Sequence, residues 1–301
     1  MDLARNSVSP LWKHISETHI TKERIRTLKG FKSSDVNFKI SLWNPRVNGV
    51  RYLKTLIYNL AASFSPHQVH LLTAIKNRNV GDPITVIYEK HRVCLDYLQA
   101  VLELSFIENH IDMNGRTIME IGAGYGRTCH AILSNYQVKS YTIVDLENCL
   151  QLSRRYLRTV LSKDYYSRIV FVRADDFDAL DDPLFDVCIN IDSFAEMDAN
   201  VAKHYLRFVS QRCKFFYVKN PVGKYLDKSL DNHSEGSGVV KLALSTGLLT
   251  KVIDIHDNRS VTKAARNFVK IYRPSESWEC VGDGWAPPWS YYWQAFYHKK
   301  Y

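Results

Sequence analysis

Short apolar segments alternate with segments of helical periodicity through the middle of the chain. The apolar segments are rich in β-branched and aromatic residues, as are strands buried on both faces of a sheet. Between them, apolar residues recur every three or four positions, which is typical of amphipathic helices. Strands are predicted within residues 117–126, 140–146, 168–174, 185–191, 214–218, 252–256 and 267–272. This alternation indicates a doubly wound α/β sheet that closes with a hairpin of the last two strands.

The two ends of the chain differ from this middle part. Residues 1–112 show mainly helical spacing, so we expect a helical elaboration that covers the ligand-binding edge of the sheet. Residues 113–275 form the predicted sheet domain. Residues 276–301 form a tail rich in Trp and Tyr, whose rings can stack on sugars, fill a core or form a subunit interface.

The most informative local feature is the run TIMEIGAGYG at residues 117–126. Its glycines, Gly122, Gly124 and Gly126, allow a tight turn and a close approach of the backbone to a ligand. The dinucleotide fingerprint requires a further glycine where this chain has Arg127, and the Gly-Lys-Ser/Thr of a P-loop does not occur. Strand, glycine turn and helix still predict a nucleotide-type pocket at the carboxyl edge of the sheet.

The spacing Glu-x-Gly-x-Gly-x-Gly resembles the first motif of class I S-adenosylmethionine-dependent methyltransferases. The resemblance implies a Rossmann-like, seven-stranded methyltransferase sheet and S-adenosyl-L-methionine as the cofactor. This cofactor carries a sulfonium and an ammonium group, which an acid near the loop suits. The contacts implied in this segment are Glu120, Gly122, Ala123, Gly124 and Gly126.

An acidic residue, Asp145, ends the second predicted strand and is followed by Leu146. A carboxylate at this position can accept hydrogen bonds from both hydroxyls of an adenosine ribose. It can also cap the helix that begins near Glu147. The spacing from the glycine loop favours the ribose contact, and the two roles are compatible.

Further cofactor contacts are predicted after the third and fourth strands. The resemblance implies that Asp175, beside Asp176, meets the adenine amino group and that Phe177 packs on the adenine ring. A solvated acidic turn is the alternative for this segment. At the end of the fourth strand, Asn190 is expected to line the methionine end of the cofactor.

Residues 190–197 read NIDSFAEM, which resembles the Asn-x-x-Ser-x-x-Glu-Met signature of a bacterial sugar O-methyltransferase family. The resemblance implies methylation of a sugar hydroxyl in the biosynthesis of surface polysaccharide or another glycan. A neutral hydroxyl is a poor nucleophile and benefits from a general base. The candidate bases are Asp192, Glu196 and His233. Ser193 and Glu196 could instead form a helix capping box, and His233 could lie in an exposed loop.

The charge balance narrows the class of partner. The 301 residues carry 40 basic and 31 acidic side chains, a net charge of +9, which favours anionic partners. We expect an anionic sugar or glycan that is nucleotide-linked, lipid-linked or polymeric. Amino-group methyltransferases of nucleic acids carry Asn/Asp-Pro-Pro-aromatic after the fourth strand, whereas this chain continues from Asn190 to Ser193, so nucleic acid is disfavoured. A scaffold without catalysis and a homo-oligomer stay open.

The sequence also bears on location and on metal content. No apolar run approaches the ~18 residues that span a bilayer, and the amino end has no signal-peptide core. The six cysteines are scattered without a Cys-x-x-Cys pair, which favours reduced thiols in the cytoplasm. Basic residues near the amino end, including Lys13 and Arg24, leave peripheral contact with the inner membrane face open. No metal site is predicted, because the carboxylates lack a compact ligand spacing.

Overall fold

The computed structural model describes residues 9–24, 26–27, 29–180, 184–225, 227–231 and 236–300. The chain divides into two compact units, residues 1–59 and 60–301. The observed division therefore differs from the predicted one at residue 112, because residues 60–112 belong to the unit that contains the sheet.

The first unit is built from short helices. They are α1 (Pro10–Thr18), a 3₁₀ turn (Phe31–Ser33), α2 (Asp35–Ile40) and most of α3 (Gly49–Ala62). α1 begins at a proline, where a missing N–H costs nothing, and the Ser9 hydroxyl accepts the N–H of Trp12.

The second unit begins with helices and a small hairpin. These are α4 (Pro66–Ala74), β1 (Thr85–Tyr88), β2 (His91–Cys94) and α5 (Leu95–Glu108). The antiparallel pair β1–β2 was not predicted, because residues 1–112 show mainly helical spacing. Leu98, Val101 and Leu104 on α5 are at most 1% exposed, so this helix is part of the core of the second unit.

The large sheet is made of strands β3 (Thr117–Ile121), β4 (Ser140–Asp145), β5 (Ile169–Arg173), β6 (Phe185–Ile191), β7 (Cys213–Pro221), β8 (Trp278–Trp285) and β9 (Tyr292–Lys299). The helices between them are α6 (Arg127–Asn135), α7 (Glu147–Val160), α8 (Lys163–Tyr166), α9 (Ala199–Arg212), α10 (Lys228–Asp231), α11 (Ser237–Ser245) and α12 (Asn258–Ile271). Short 3₁₀ turns, Ala174–Ala179 and Ser193–Ala195, follow β5 and β6.

The strand order is β5-β4-β3-β6-β7-β9-β8. Strands β3 to β7 pair in parallel, while β9 is antiparallel to both of its neighbours. The order reverses between β3 and β6, because the chain returns from β5 to the other side of β3. In such sheets the crevice at the carboxyl ends of the strands on either side of the reversal is the usual ligand site. The doubly wound, seven-stranded fold is confirmed.

The predicted closing hairpin was wrong in position. Residues 267–272 fall largely in α12, whose Val261, Ala265 and Phe268 lie on one buried face at helical spacing. In residues 252–256, Val252 forms an isolated bridge to Lys224 instead of a strand. The closing hairpin is β8–β9, so the aromatic residues 278–299 belong to the sheet and do not form a separate tail.

Aromatic packing supports the carboxyl edge of the sheet. Phe194, Phe216, Phe268 and Tyr272 are each fully buried, and the Phe194 and Tyr272 rings stack with centroids 6.2 Å apart. Burying a ring of this size contributes roughly 1.5–3 kcal/mol. The turn after β6, which contains Phe194, is therefore held firmly against the sheet.

Candidate active site

The three glycines of the loop after β3 differ in the space around them. All three glycines have positive φ, with values of +75° at Gly122, +58° at Gly124 and +91° at Gly126. A Cβ on Gly122 would lie 2.1 Å from Ser193 Oγ, and a Cβ on Gly126 would lie 2.8 Å from Leu157 Cδ1. A Cβ on Gly124 would meet nothing within 4 Å. Packing therefore excludes a side chain at Gly122 and crowds one at Gly126, whereas Gly124 borders open space where a ligand can lie.

Asp145 holds this loop in place. Its Oδ2 accepts the Gly124 N–H over 2.8 Å, and its Oδ1 accepts the Leu146 N–H over 2.7 Å. The Cys149 thiol also donates to this carboxylate, which has about four lone-pair sites and can therefore still accept a ribose hydroxyl. Leu146 is 65% exposed and leaves an apolar side chain uncovered next to the carboxylate. This pair fits the predicted adenosine contact.

The segment after β5 differs from its predicted role. The Arg173 guanidinium lies 2.9 Å from Asp175 and 3.9 Å from Asp176, and all three side chains are largely exposed. Phe177 is 3% exposed, with ring centroids 4.6 Å from Tyr205 and 4.4 Å from Phe208. The prediction that Phe177 packs on adenine is therefore wrong, because its ring is enclosed in the core. For Asp175 and Asp176 the arrangement resembles the solvated acidic turn.

Asn190 is a structural clamp: its side chain holds the ends of three strands together by hydrogen bonds and does not line either cavity described below. It is fully buried, and its Nδ2 donates to Ile121 O over 3.0 Å and to Ser193 Oγ over 2.6 Å. Its Oδ1 accepts from Asn220 Nδ2 over 2.8 Å, and Asn220 Oδ1 accepts the Ala195 N–H over 3.1 Å. The expected contact with the methionine end is corrected accordingly, because these bonds join the ends of β3, β6 and β7.

A first cavity of about 340 Å³ adjoins the glycine loop, and we call it the glycine-loop cavity. α5, the glycine loop and the ends of β6, β7 and β9 contribute to its walls. Its lining includes Asp96, Gln99, Glu120, Gly122, Ala123, Gly124, Arg127, Asp192, Lys219, Trp289 and Tyr292. Asp96 and Gln99 of α5 are part of this lining, and the wider role predicted for residues 1–112 stays a prediction.

A buried ion cluster forms one wall of this cavity. Glu103 accepts from Arg127 Nη2 over 2.8 Å and from Lys219 Nζ over 2.7 Å. Burial opposes ionisation of Glu103, but the two cations outweigh it and hold its pKa below the ordinary value. Gln99 Oε1 accepts from Lys219 Nζ over 3.4 Å and from Trp289 Nε1 over 3.1 Å. Arg127 and Lys219 also line the cavity, so they are the groups that a ligand carboxylate would meet there. Sequence reasoning missed the cluster.

Glu120 also lines this cavity and is 2% exposed. It accepts a hydrogen bond from the Tyr141 hydroxyl over 2.8 Å. Burial raises the pKa of Glu120 to about 7. A cationic ligand would favour the ionised form, as the predicted role requires.

A second cavity of about 350 Å³ lies beside β7, and we call it the β7 cavity. It is bounded by the turn after β6, the end of β7 and helices α11 and α12. Its lining includes Asp192, Ala195, Glu196, Lys224, Tyr225, Thr246, Tyr272 and Tyr292. Asp192 and Tyr292 line both cavities, so the two cavities adjoin at this pair.

Asp192 is held in an unusual conformation at the junction. Its φ of +70° and ψ of −37° are strained for a residue with a Cβ, and strain of this kind concentrates at functional sites. Its N–H donates to Lys219 O over 2.8 Å, and its Oδ1 accepts from the Tyr292 hydroxyl over 2.7 Å. Burial and Asp192 together raise the pKa of Tyr292, so this phenol stays protonated and donates.

Glu196 and Lys224 complete the charged lining of the β7 cavity. Partial burial and the neighbouring Asp192 raise the pKa of Glu196. Lys224 Nζ donates to Ala195 O over 2.9 Å and to Thr246 Oγ1 over 3.0 Å, and burial lowers its pKa.

The capping-box alternative for Ser193 and Glu196 is wrong, because α9 is capped by Asp198, whose side chain accepts the Asn200 N–H. His233 lies outside the described residues.

Within the described part of the chain, no three His, Cys, Asp or Glu side chains gather in a way that could hold a metal ion. No helix of that part is long and apolar enough to cross a membrane.

The strand order with its single antiparallel strand defines a Rossmann-like methyltransferase fold. No protein-family model matches this sequence, and no curated protein matches it. Among solved structures, the chain is similar to an S-adenosylmethionine-dependent methyltransferase from Clostridium acetobutylicum, at 10% identity and a TM-score of 0.43, over 67% of this chain and 91% of that one.

Two further solved structures are similar. The mitomycin 7-O-methyltransferase MmcR shares 13% identity with a TM-score of 0.44, over 88% of this chain and 70% of that one. An O-methyltransferase family protein from Burkholderia thailandensis shares 13% identity with a TM-score of 0.42, over 68% of this chain and 58% of that one.

Proposed function

We propose that this protein is an S-adenosylmethionine-dependent O-methyltransferase that acts on a sugar hydroxyl. The observation that carries the proposal is the pair of cavities that adjoin at Asp192 and Tyr292. The glycine-loop cavity would hold the cofactor, and the β7 cavity would hold the acceptor.

The residues of the glycine-loop cavity and its rim fit the proposed cofactor. Asp145 would accept the ribose hydroxyls, and Gly124 leaves the space that the ligand needs. Glu120 would face the cationic part, while Arg127 and Lys219 would face the carboxylate. When bound, S-adenosyl-L-methionine supplies an activated methyl group, so the protein has to align and desolvate the reactants.

Asp192 is the best-placed general base, because this residue lines both cavities. Tyr292 fixes Oδ1, and Oδ2 has no hydrogen bond to any described residue, so it can accept the proton of an acceptor hydroxyl. A base of this kind contributes typically 10²–10⁴-fold. Glu196, in the same cavity, is the second candidate.

The β7 cavity supports a sugar acceptor by its composition. The rings of Tyr225 and Tyr292 offer faces on which a sugar ring can pack. Asp192, Glu196 and other polar groups can bond to sugar hydroxyls. The volume of about 350 Å³ lies near the lower end of small-molecule sites, which suits one ring.

The charge of the whole chain supports an anionic carrier for that sugar. The net charge of +9 would attract a nucleotide-linked, lipid-linked or polymeric glycan, as in surface polysaccharide biosynthesis. Peripheral contact with an anionic membrane face, a cytoplasmic location and a homo-oligomer belong to the same proposal.

Calorimetry with S-adenosylhomocysteine, followed by a methyl-transfer screen with labelled cofactor, tests the proposal. The screen should contain nucleotide sugars, glycans, RNA, DNA and protein. We expect micromolar binding of S-adenosylhomocysteine and label on a sugar oxygen. Absence of binding would overturn the whole proposal. Label in nucleic acid or protein would overturn the sugar assignment alone, and binding without transfer to any acceptor would indicate a scaffold.

A further inference from the structure

The hydroxyl of Tyr272 is a buried polar group without a partner. Tyr272 is fully buried and borders the β7 cavity, and its hydroxyl makes no hydrogen bond to any described residue. Leaving a buried hydroxyl unpaired is unfavourable, because it has lost its hydrogen bonds to water without a replacement. A ligand that binds in the β7 cavity would supply the missing hydrogen-bond partner. The unpaired hydroxyl is then explained as a ligand contact.

The ring that carries this hydroxyl is rigidly held. Phe194 stacks on it at 6.2 Å with planes 11° apart, and Phe268 packs against it at 4.6 Å. The hydroxyl therefore has a fixed position before any ligand arrives, and a preorganised contact discriminates between ligands at little entropic cost.

The charges of the β7 cavity disfavour an anion. Asp192 and Glu196 are carboxylates, and Lys224 is the lining cation. Two of the three Lys224 protons are already donated to Ala195 O and Thr246 Oγ1. A phosphate or carboxylate group in this cavity would face two acids with little cationic compensation, whereas neutral hydroxyls can donate to both acids.

We propose that the β7 cavity binds an uncharged, polyhydroxylated ring, with the Tyr272 hydroxyl as a specificity-determining contact, and that any charged group of the acceptor stays outside it. This inference rests on the proposed function and specifies the class of acceptor more closely, as a ring without charge. The chain has a net positive charge, whereas the β7 cavity contains two acids and one cation. The positive charge of the chain would attract the anionic carrier, and the cavity would select the neutral ring.

Saturation-transfer NMR and calorimetry on the full chain saturated with S-adenosylhomocysteine test this proposal. The probes are the methyl glycosides of glucose, galactose and mannose and the 6-phosphates of the same three sugars. We expect at least one neutral glycoside to bind and its 6-phosphate to bind tenfold or more weakly. Tyr272→Phe should weaken the glycoside tenfold or more and leave the affinity for S-adenosylhomocysteine unchanged.

Tyr297→Phe is the matched control, because the Tyr297 hydroxyl donates to Val269 O and lies outside the β7 cavity. This variant should lose stability and keep glycoside binding, whereas Tyr272→Phe should keep its melting temperature. Preferred binding of the 6-phosphates, no binding of any glycoside, or equal loss of stability in both variants would overturn the inference. Failure of S-adenosylhomocysteine to bind would instead overturn the proposed function.

Discussion

The Tyr292 hydroxyl donates to Asp192 Oδ1 over 2.7 Å, and this bond joins the last strand of the sheet to the turn after β6. The two residues stand 100 positions apart in the chain. Both line the glycine-loop cavity and the β7 cavity, so the bond lies where the proposed donor and acceptor would meet.

Asp192→Asn should lower turnover by 10²-fold or more and change cofactor affinity little, because a general base acts in the transition state. Turnover with the acceptor found in the screen and affinity for S-adenosylhomocysteine are measured on the same samples. Asp198→Ala, which removes the cap of α9, is the control and should cost about 0.5–2 kcal/mol of stability with turnover per folded molecule preserved. Near-normal turnover of Asp192→Asn would transfer the role to Glu196 or His233.

Gly122→Ala and Gly124→Ala should fail in different ways. The new methyl group on residue 122 would collide with Ser193 Oγ at 2.1 Å, so we expect a loss of several kcal/mol, on the scale of overpacked cores. The new methyl group on residue 124 meets open space, so stability should fall by about 1–3 kcal/mol from backbone strain, while cofactor binding is lost. Urea denaturation and calorimetry separate the two cases. Full cofactor affinity in Gly124→Ala would contradict the placement of the ligand.

Asp145→Ala should weaken S-adenosylhomocysteine binding by about 1–3 kcal/mol, the scale of hydrogen bonds to an ionised partner. The variant also releases the Gly124 N–H that the carboxylate holds. Asp175→Ala is measured beside it by calorimetry. An unchanged affinity of Asp175→Ala would assign that residue to the solvated turn, and a comparable loss would restore its contact with adenine.

Glu103→Gln should destabilise the protein by about 3–5 kcal/mol, because Arg127 and Lys219 would remain buried without their carboxylate. Adding Lys219→Met should restore part of the loss, since one of the two uncompensated cations is then removed. Urea denaturation of the two single variants and the double variant gives the coupling free energy. Additive losses would show that Glu103 and Lys219 do not act as a pair.

Stability should depend on pH through Glu120, whose pKa burial raises to about 7 from an ordinary value of 4.5. Between these values the folded state retains a proton that the unfolded state has released, so this contribution to stability decreases as pH rises toward 7. The free energy of unfolding of wild type minus that of Glu120→Gln, measured from pH 4.5 to 8, should decrease over this interval. A flat difference would show that Glu120 is ionised in the fold throughout.

Much of the fold was readable from local pattern. The predicted strands up to residue 218 match β3 to β7 closely, because a strand buried on both faces leaves a continuous apolar run in the sequence. The glycine loop could also be predicted, because three glycines at alternate positions after a strand are typical of a tight turn. The structure shows that all three have positive φ. The alternation of these strands with helices indicated the doubly wound arrangement.

The tertiary structure decided which side chains face a ligand. Phe177 and Asn190 stand where a cofactor contact was predicted, yet Tyr205, Phe208 and the clamp with Asn220 enclose them. Sequence spacing fixes where a residue leaves a strand, and the elements packed against it fix what its side chain meets.

The sequence by itself therefore determined the sheet, the glycine turn and the carboxylate at Asp145, because these depend on local periodicity and backbone freedom. Only the tertiary structure placed β8 and β9 in the sheet, brought Glu103 to Lys219 and set Tyr292 against Asp192. Each of these contacts joins positions far apart in the chain, and their pairing depends on how whole elements pack, which no local pattern encodes.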